Sequence, residues 1–141
     1  MNHDDMSAEA ALVVAASDTA CNIGLTSEDS FPEVFATSRM IALMEVAAAR
    51  AMHPLLGSGQ HSVGVGLSVK HCAATPVGSR VRAVARWLRN DGRLMHFSVQ
   101  AFDEAGLIGE GEHSRAIVET SRLLSGAEKR RKTDTISSSS N

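Results

Sequence analysis

Three side chains in this 141-residue chain have the chemistry to act together on an electrophile: Thr37, Glu45 and His71. Glu45 lies inside Thr37-Ser-Arg-Met-Ile-Ala-Leu-Met-Glu-Val-Ala-Ala-Ala-Arg-Ala-Met-His53, a run that reads as one helix. At helical spacing Ile41, Met44, Glu45, Ala48 and Met52 share a face, which places an acid in an apolar stripe. Removing a carboxylate from water is costly or forces it to protonate, and a perturbed acid is what general-base or nucleophilic chemistry uses. The competing reading is a carboxylate that skirts the helix edge. A histidine beside it could orient it, share a proton or protonate a leaving group. A threonine hydroxyl could hold a water or a carbonyl oxygen. Each also has a plainer reading, Thr37 as a helix cap and His71 as an ordinary strand-end histidine.

These groups need a scaffold, and the pattern of apolar residues supplies one. Residues 1–8 read as a loose N-terminus, and Ala10 to Ile23 as a strand or a short helix, with β-branched Val13 and Val14 favouring strand. A polar loop over residues 26–30 leads to Phe31 and Phe35, which flank Pro32 and are expected to cover something apolar. Thr37 or Ser38 can cap the helix, and Pro54 with Gly57 and Gly59 ends it near His53. Four strands in meander order are predicted next. In residues 62–71, Val63, Val65, Leu67, Val69 and His71 alternate with Gly64, Gly66, Ser68 and Lys70. Residues 79–89 place Val81, Ala83, Ala85 and Trp87 on one face, and Asn90-Asp91-Gly92 signals a hairpin. Residues 93–102 return with Met95, Phe97 and Val99, and residues 107–120 close the sheet, with a bulge expected at Gly109 or Gly111. One helix followed by an antiparallel sheet is an α+β pattern. It leaves an open edge, so a homodimer or higher homo-oligomer is expected. The folded domain is read as 1–120. Residues 121–141, with the basic cluster 129–132 and serines 137–140, are read as a disordered tail.

Composition narrows the function. Hydrophobic residues at 43 % and charged residues at 21 % describe a globular domain, and a net charge of −2 argues against nucleic acid as a partner. The apolar stretch from Ala10 to Ala16 is too short to span a membrane, and Asp4, Asp5 and Glu9 ahead of it do not suit a signal peptide, so a cytoplasmic location is expected. Cys21 and Cys72 have no metal-type spacing and read as reduced, small apolar side chains. The histidines make no ligand spacing with cysteines or acids, so no metal site is expected. His113 and Arg115 lie two apart on the last strand and read as a surface pair. Gly64 and Gly66 leave one strand face open to a ligand or to a packed helix.

Four separated segments carry a family resemblance: Phe31-Pro-Glu-Val-Phe-Ala-Thr37, Leu43-Met-Glu45, His71-Cys-Ala-Ala-Thr-Pro76 and Gly111-Glu-His-Ser-Arg115. In order and spacing they resemble the fluoroacetyl-CoA thioesterases and their hotdog-fold relatives, over about residues 31–118. The resemblance implies a hotdog fold, in which the sheet wraps the helix and two subunits pair. It implies a catalytic set on Thr37, Glu45 and His71 that acts on an acyl-CoA thioester, with substrate contacts at Gly64, Arg115 and Phe31 and no cofactor beyond water. The lid of the fluoroacetate-selective enzyme carries two phenylalanines, of which Phe31 is matched while Glu28 takes the other position. A short- or medium-chain acyl-CoA is therefore expected as substrate. The alternatives are a non-catalytic acyl-CoA or small-ligand binding module and a hotdog hydratase or dehydratase.

Overall fold

A computed structural model describes residues 6–139, with side chains placed through Arg131. Strand β1 (Ser7–Val13) is followed by two short 3-10 turns (Ala16–Asp18 and Ala20–Asn22) and helix α1 (Thr37–Met52). Strands β2 (Gln60–His71), β3 (Arg80–Asp91), β4 (Leu94–Asp103) and β5 (Gly106–Glu119) come next, and helix α2 (Thr120–Ser139) ends the described chain. The architecture is α+β: one antiparallel sheet curled around α1.

Helix α1 exists because its apolar residues recur every three or four positions. Met40, Leu43, Met44, Ala47, Ala48, Ala51 and Met52 are all buried. They pack on the alternating inward side chains of the sheet, Val81, Ala83 and Ala85 of β3 and Met95, Phe97, Val99 and Ala101 of β4. Alanines on both layers let helix and sheet approach closely. Phe35, just ahead of α1, completes this core at 1 % exposure, while Phe31 stays in the exposed loop, so only one of the two phenylalanines covers apolar surface.

The strand order is β1-β3-β4-β5-β2. Only β3, β4 and β5 form the expected meander. The predicted neighbour pairing of β2 with β3 is incorrect: β2 pairs with β5, and residues 72–79 carry the chain across the sheet end. Alternation tells which face a residue takes, not which strand lies alongside. The Asn90-Asp91-Gly92 hairpin forms, with Gly92 at φ 60°. The bulge expected in β5 falls at Ile108, beside Gly109, because Ala101 pairs with Gly109 while Phe102 pairs with Leu107.

Two further expectations are corrected at the ends of the chain. The first strand is Ser7–Val13 rather than a stretch to Ile23, and it includes Ser7 and Ala8 from the supposedly loose N-terminus, whose residues 1–5 lie outside those described. The stretch after Val13 turns because Asp18 accepts the Ala15 N–H (2.9 Å) and clasps Arg39 of α1 (3.0 Å). The segment after Glu119 is helical, not irregular, up to Ser139; residues 140 and 141 lie outside those described. Leucine, alanine, glutamate, lysine and arginine there are strong helix formers that form no apolar stripe, so polarity alone was a poor guide. Residues 121–131 are exposed throughout. No helix among the described residues is long and apolar enough to cross a membrane.

Candidate active site

Thr37 is the first residue of α1, and Ala36 takes the cap position without a side-chain bond, so the expected capping role of Thr37 is not observed. The helix start is fixed instead by backbone links, Ala36 N–H to Asp18 O (2.9 Å) and Phe35 N–H to Thr75 O (2.8 Å). This frees the Thr37 hydroxyl, which lies 2.7 Å from Nδ1 of His71 at the end of β2. Burial holds the His71 pKa below its ordinary value, against a smaller upward pull from a backbone bond to Ala73. Its Nε2 is buried and has no hydrogen-bond partner among the described residues. Thr37, His71, Cys72 and Ala73 line a hollow of about 340 Å³ together with Pro32 and Val34 of the preceding loop. Phe31 does not line it.

Glu45 belongs to a second cluster. Its side chain is 46 % exposed, so it sits at the helix edge rather than in the apolar stripe. Its Oε2 accepts from Arg115 Nη1 at 3.3 Å. Arg115 is 6 % exposed, and a buried guanidinium is tolerated only when charge and donors are matched. Its Nε donates to Ser62 Oγ (3.1 Å), its Nη2 to Ser62 O (3.0 Å), and its Nη1 also reaches His113 Nε2 (3.0 Å). Because arginine only donates, Nε2 of His113 must be the acceptor. The proton therefore sits on Nδ1, which donates to Gly66 O at 2.9 Å. Burial pushes the His113 pKa down; the bond to the Gly66 carbonyl opposes this, the Arg115 charge adds to it, and Glu45 opposes it. Gly64 is where this cluster meets the strand: a β-carbon there would lie 3.2 Å from His113 Cε1 and 3.3 Å from Glu45 Oε2. Glu45, Gly64, Val65, Gly66, Leu67 and His113 enclose a hollow of about 240 Å³.

The sequence-predicted residues thus fall into two groups, Thr37 with His71 and Glu45 with Gly64 and Arg115. Eight helical residues separate Thr37 from Glu45, a rise of ~12 Å, and seven strand residues separate Gly64 from His71, ~23 Å. Within one chain the three polar groups do not meet. His113 and Ser62 were missed as members of the site. The sequence did place His113 and Arg115 on one face, but that face turns inward, so they are not a surface pair. Cys21 and Cys72 are both free and exposed, not small apolar fillers of the core. No group of three or more His, Cys, Asp or Glu among the described residues could hold a metal ion.

Both groups nevertheless open on one face, and a bulge is the reason. Gly64 pairs with Arg115 and Gly66 with Ser114, which leaves Val65 as the extra residue. Directly opposed residues share a face, so Gly64 faces as Arg115 does, and Leu67, opposite His113, does too. Val69 and His71 continue that face. Without the bulge, residues seven apart would point to opposite sides. The strict two-residue alternation expected across residues 62–71 is therefore broken at Val65.

Known proteins share this fold. The family model described as fluoroacetyl-CoA-specific thioesterase, FlK, matches residues 14–121. A fluoroacetyl-CoA thioesterase of Streptantibioticus cattleyicolor is 46 % identical over 88 residues, 62 % of this chain and 63 % of that protein. The match thus spans less than two thirds of that relative's length. A solved structure of FlK superposes with a TM-score of 0.83 at 34 % identity, covering 92 % of this chain and 96 % of that one. A FlK variant in complex with acetyl-CoA superposes with a TM-score of 0.81 at 35 % identity, covering 94 % and 99 %. The curled sheet around α1 is the hotdog fold, and the chain belongs to the fluoroacetyl-CoA-specific thioesterase family.

Proposed function

We propose that the protein hydrolyses a short- or medium-chain acyl-CoA to the free acid and CoA, and that a second copy of the chain completes each active site. Family membership supports the reaction class. The observation that carries the residue assignment is the position of both polar clusters along β2, whose outer edge is unpaired in the sheet. Antiparallel pairing of two such edges about Ser68, with Val65 bulged on each, sets Gly64 across from His71 of the partner subunit. Glu45 of one copy then shares a site with Thr37 and His71 of the other, twice per dimer. Val65 and Leu67, 55 % and 44 % exposed, are the apolar surface that this pairing covers.

In that site Glu45 either takes a proton from a water attacking the thioester carbonyl or attacks that carbon itself, to be released by water. By both routes the carbon–sulfur bond breaks, the acyl group leaves as a carboxylic acid, and His71 relays to the departing CoA sulfur a proton that the reacting water gives up, so the ring ends the cycle as it began. The Thr37 hydroxyl, bonded to Nδ1, holds the ring in place. Water is the second reactant, and no cofactor takes part.

The test is thiol release from a panel of acyl-CoAs of increasing chain length, with wild type beside Glu45→Gln. The expected result is turnover by the wild type and a loss of about 100-fold or more in kcat/KM for the variant. Hydrolysis at the wild-type rate by Glu45→Gln would remove Glu45 from the mechanism.

A further inference from the structure

Beyond the Arg115–Ser62 contacts, the α1 side of the sheet runs on into a groove of about 620 Å³ that no step of the proposed hydrolysis uses. Met95 and Ile117 form an apolar floor, and Arg93, Arg122 and the pair Gln60–Glu119 form the rim. Register places this groove on the same face as the Glu45 cluster. Met95 lies directly across from Arg115, Ile117 across from Ser62, and Glu119 across from Gln60. Four strand residues lead from Arg115 to Glu119, a distance of ~13 Å.

The charges on the rim are unequal in their commitments. Glu119 accepts from Gln60 Nε2 at 3.0 Å. The side chains of Arg93, after the Gly92 turn, and Arg122, in the first turn of α2, have no hydrogen-bond or ion-pair partner among the described residues. Two arginines from different elements, both uncommitted and both beside an apolar floor, match a ligand with phosphate groups next to a flat ring. Guanidinium pairs with phosphate oxygens by two parallel hydrogen bonds, and apolar side chains accept the face of a base.

We infer that this groove holds the phosphorylated nucleotide end of the acyl-CoA, with Arg93 and Arg122 on its phosphates. The inference rests on the thioesterase reading. The pantetheine arm then runs along the sheet face from the rim to the thioester at Glu45. The acyl group lies beyond the scissile bond, on the side of Thr37 and His71, so it has no use for this groove.

The experiment compares acetyl-CoA with the acetyl thioester of N-acetylcysteamine, which keeps the reacting end and lacks the nucleotide. For Arg93→Glu/Arg122→Glu, KM for acetyl-CoA is expected to rise about tenfold or more with kcat within about twofold, as loss of uniform binding requires. Kinetics with the short thioester should not change. An unchanged KM for acetyl-CoA overturns the inference, and so does an equal loss on both thioesters. Arg93→Gln/Arg122→Gln, without charge reversal, gives the same comparison at lower amplitude should the first variant fold poorly. If wild type hydrolyses neither thioester, the thioesterase reading fails, and calorimetric titration with free CoA reads the groove alone. Binding about tenfold weaker in the double variant then supports the groove, and equal affinity overturns it.

Discussion

His71 and His113 are both held below the ordinary histidine pKa of 6.5, and burial is the first cause in each case. Around His113 the charged neighbours are Arg115 and Glu45, with the Gly66 carbonyl on Nδ1; around His71 the neighbour is the Thr37 hydroxyl. Each ring therefore takes up its proton at a lower pH in the folded protein than in the unfolded chain, where uptake lies near 6.5. Their contribution to stability is complete above 6.5 and is lost as pH falls from there toward the folded-state values. Calorimetric Tm should be flat between about pH 7 and 8 and should fall below about 6.5. His113→Gln, which keeps an acceptor for Arg115, should flatten part of that slope; an identical slope would mean that His113 does not titrate in this window. The site residues were legible to different degrees at this scale. Thr37, Glu45 and His71 stand out by side-chain chemistry alone. His113 did not, because spacing shows that it shares a face with Arg115 but not whether that face is wet. Spacing left Glu45 open between stripe and helix edge for a related reason: the buried stripe of α1 is centred on Met40, Met44, Ala47 and Ala51, and Glu45 lies at its margin.

At the scale of elements, the bulge at Val65 sets the site. It lets one strand present Gly64 to the Glu45 cluster and His71 to Thr37 from the same side. Deleting Val65 should leave a folded domain, because the core lies on α1, β3 and β4, and should keep both clusters on one face, because Gly64 and His71 are then six residues apart in a regular strand. Circular dichroism is expected to be near wild type and acyl-CoA hydrolysis within about tenfold of it; a loss of about 100-fold or more would show that the extra residue itself, and not the shared face, is required. The alternating valines of β2 concealed this bulge, since Gly64 and Gly66 satisfy a two-residue period on paper. What breaks the period is the contact of Gly64 with His113 and Glu45, residues remote in the chain. Elements with a strong local signal were read well: α1 from its three-and-four spacing, β3 and β4 from alternation around the Asn90-Asp91-Gly92 turn.

At the scale of the whole molecule, the proposed site draws Glu45 from one copy and Thr37 with His71 from another, which is why pairing of β2 edges is central to the proposed mechanism. Leu67→Lys places a charge near the centre of that edge. Sedimentation should show dimer giving way to monomer, and hydrolysis should fall with the dimer fraction, since Glu45 and His71 then work in different subunits. A monomeric variant with full turnover would rule out the shared site. The same variant as an active dimer would move the interface elsewhere.

The chain's local patterns determined much of this protein by themselves. The spacing of Met40, Leu43, Met44 and Ala47 makes a helix with one buried face, and the alternation through β3 and β4 makes the sheet that covers it. The types at 37, 45 and 71 restrict the chemistry to a hydroxyl, a carboxylate and an imidazole. These are short-range properties, set by backbone period and side-chain chemistry. Tertiary structure alone decided the rest: that β2 lies against β5, that Arg115 and His113 turn inward on Glu45, that the Thr37 hydroxyl meets His71, and that the basic groove continues from the Glu45 cluster. Each depends on which distant strands become neighbours and on a one-residue bulge, and no local period carries that information.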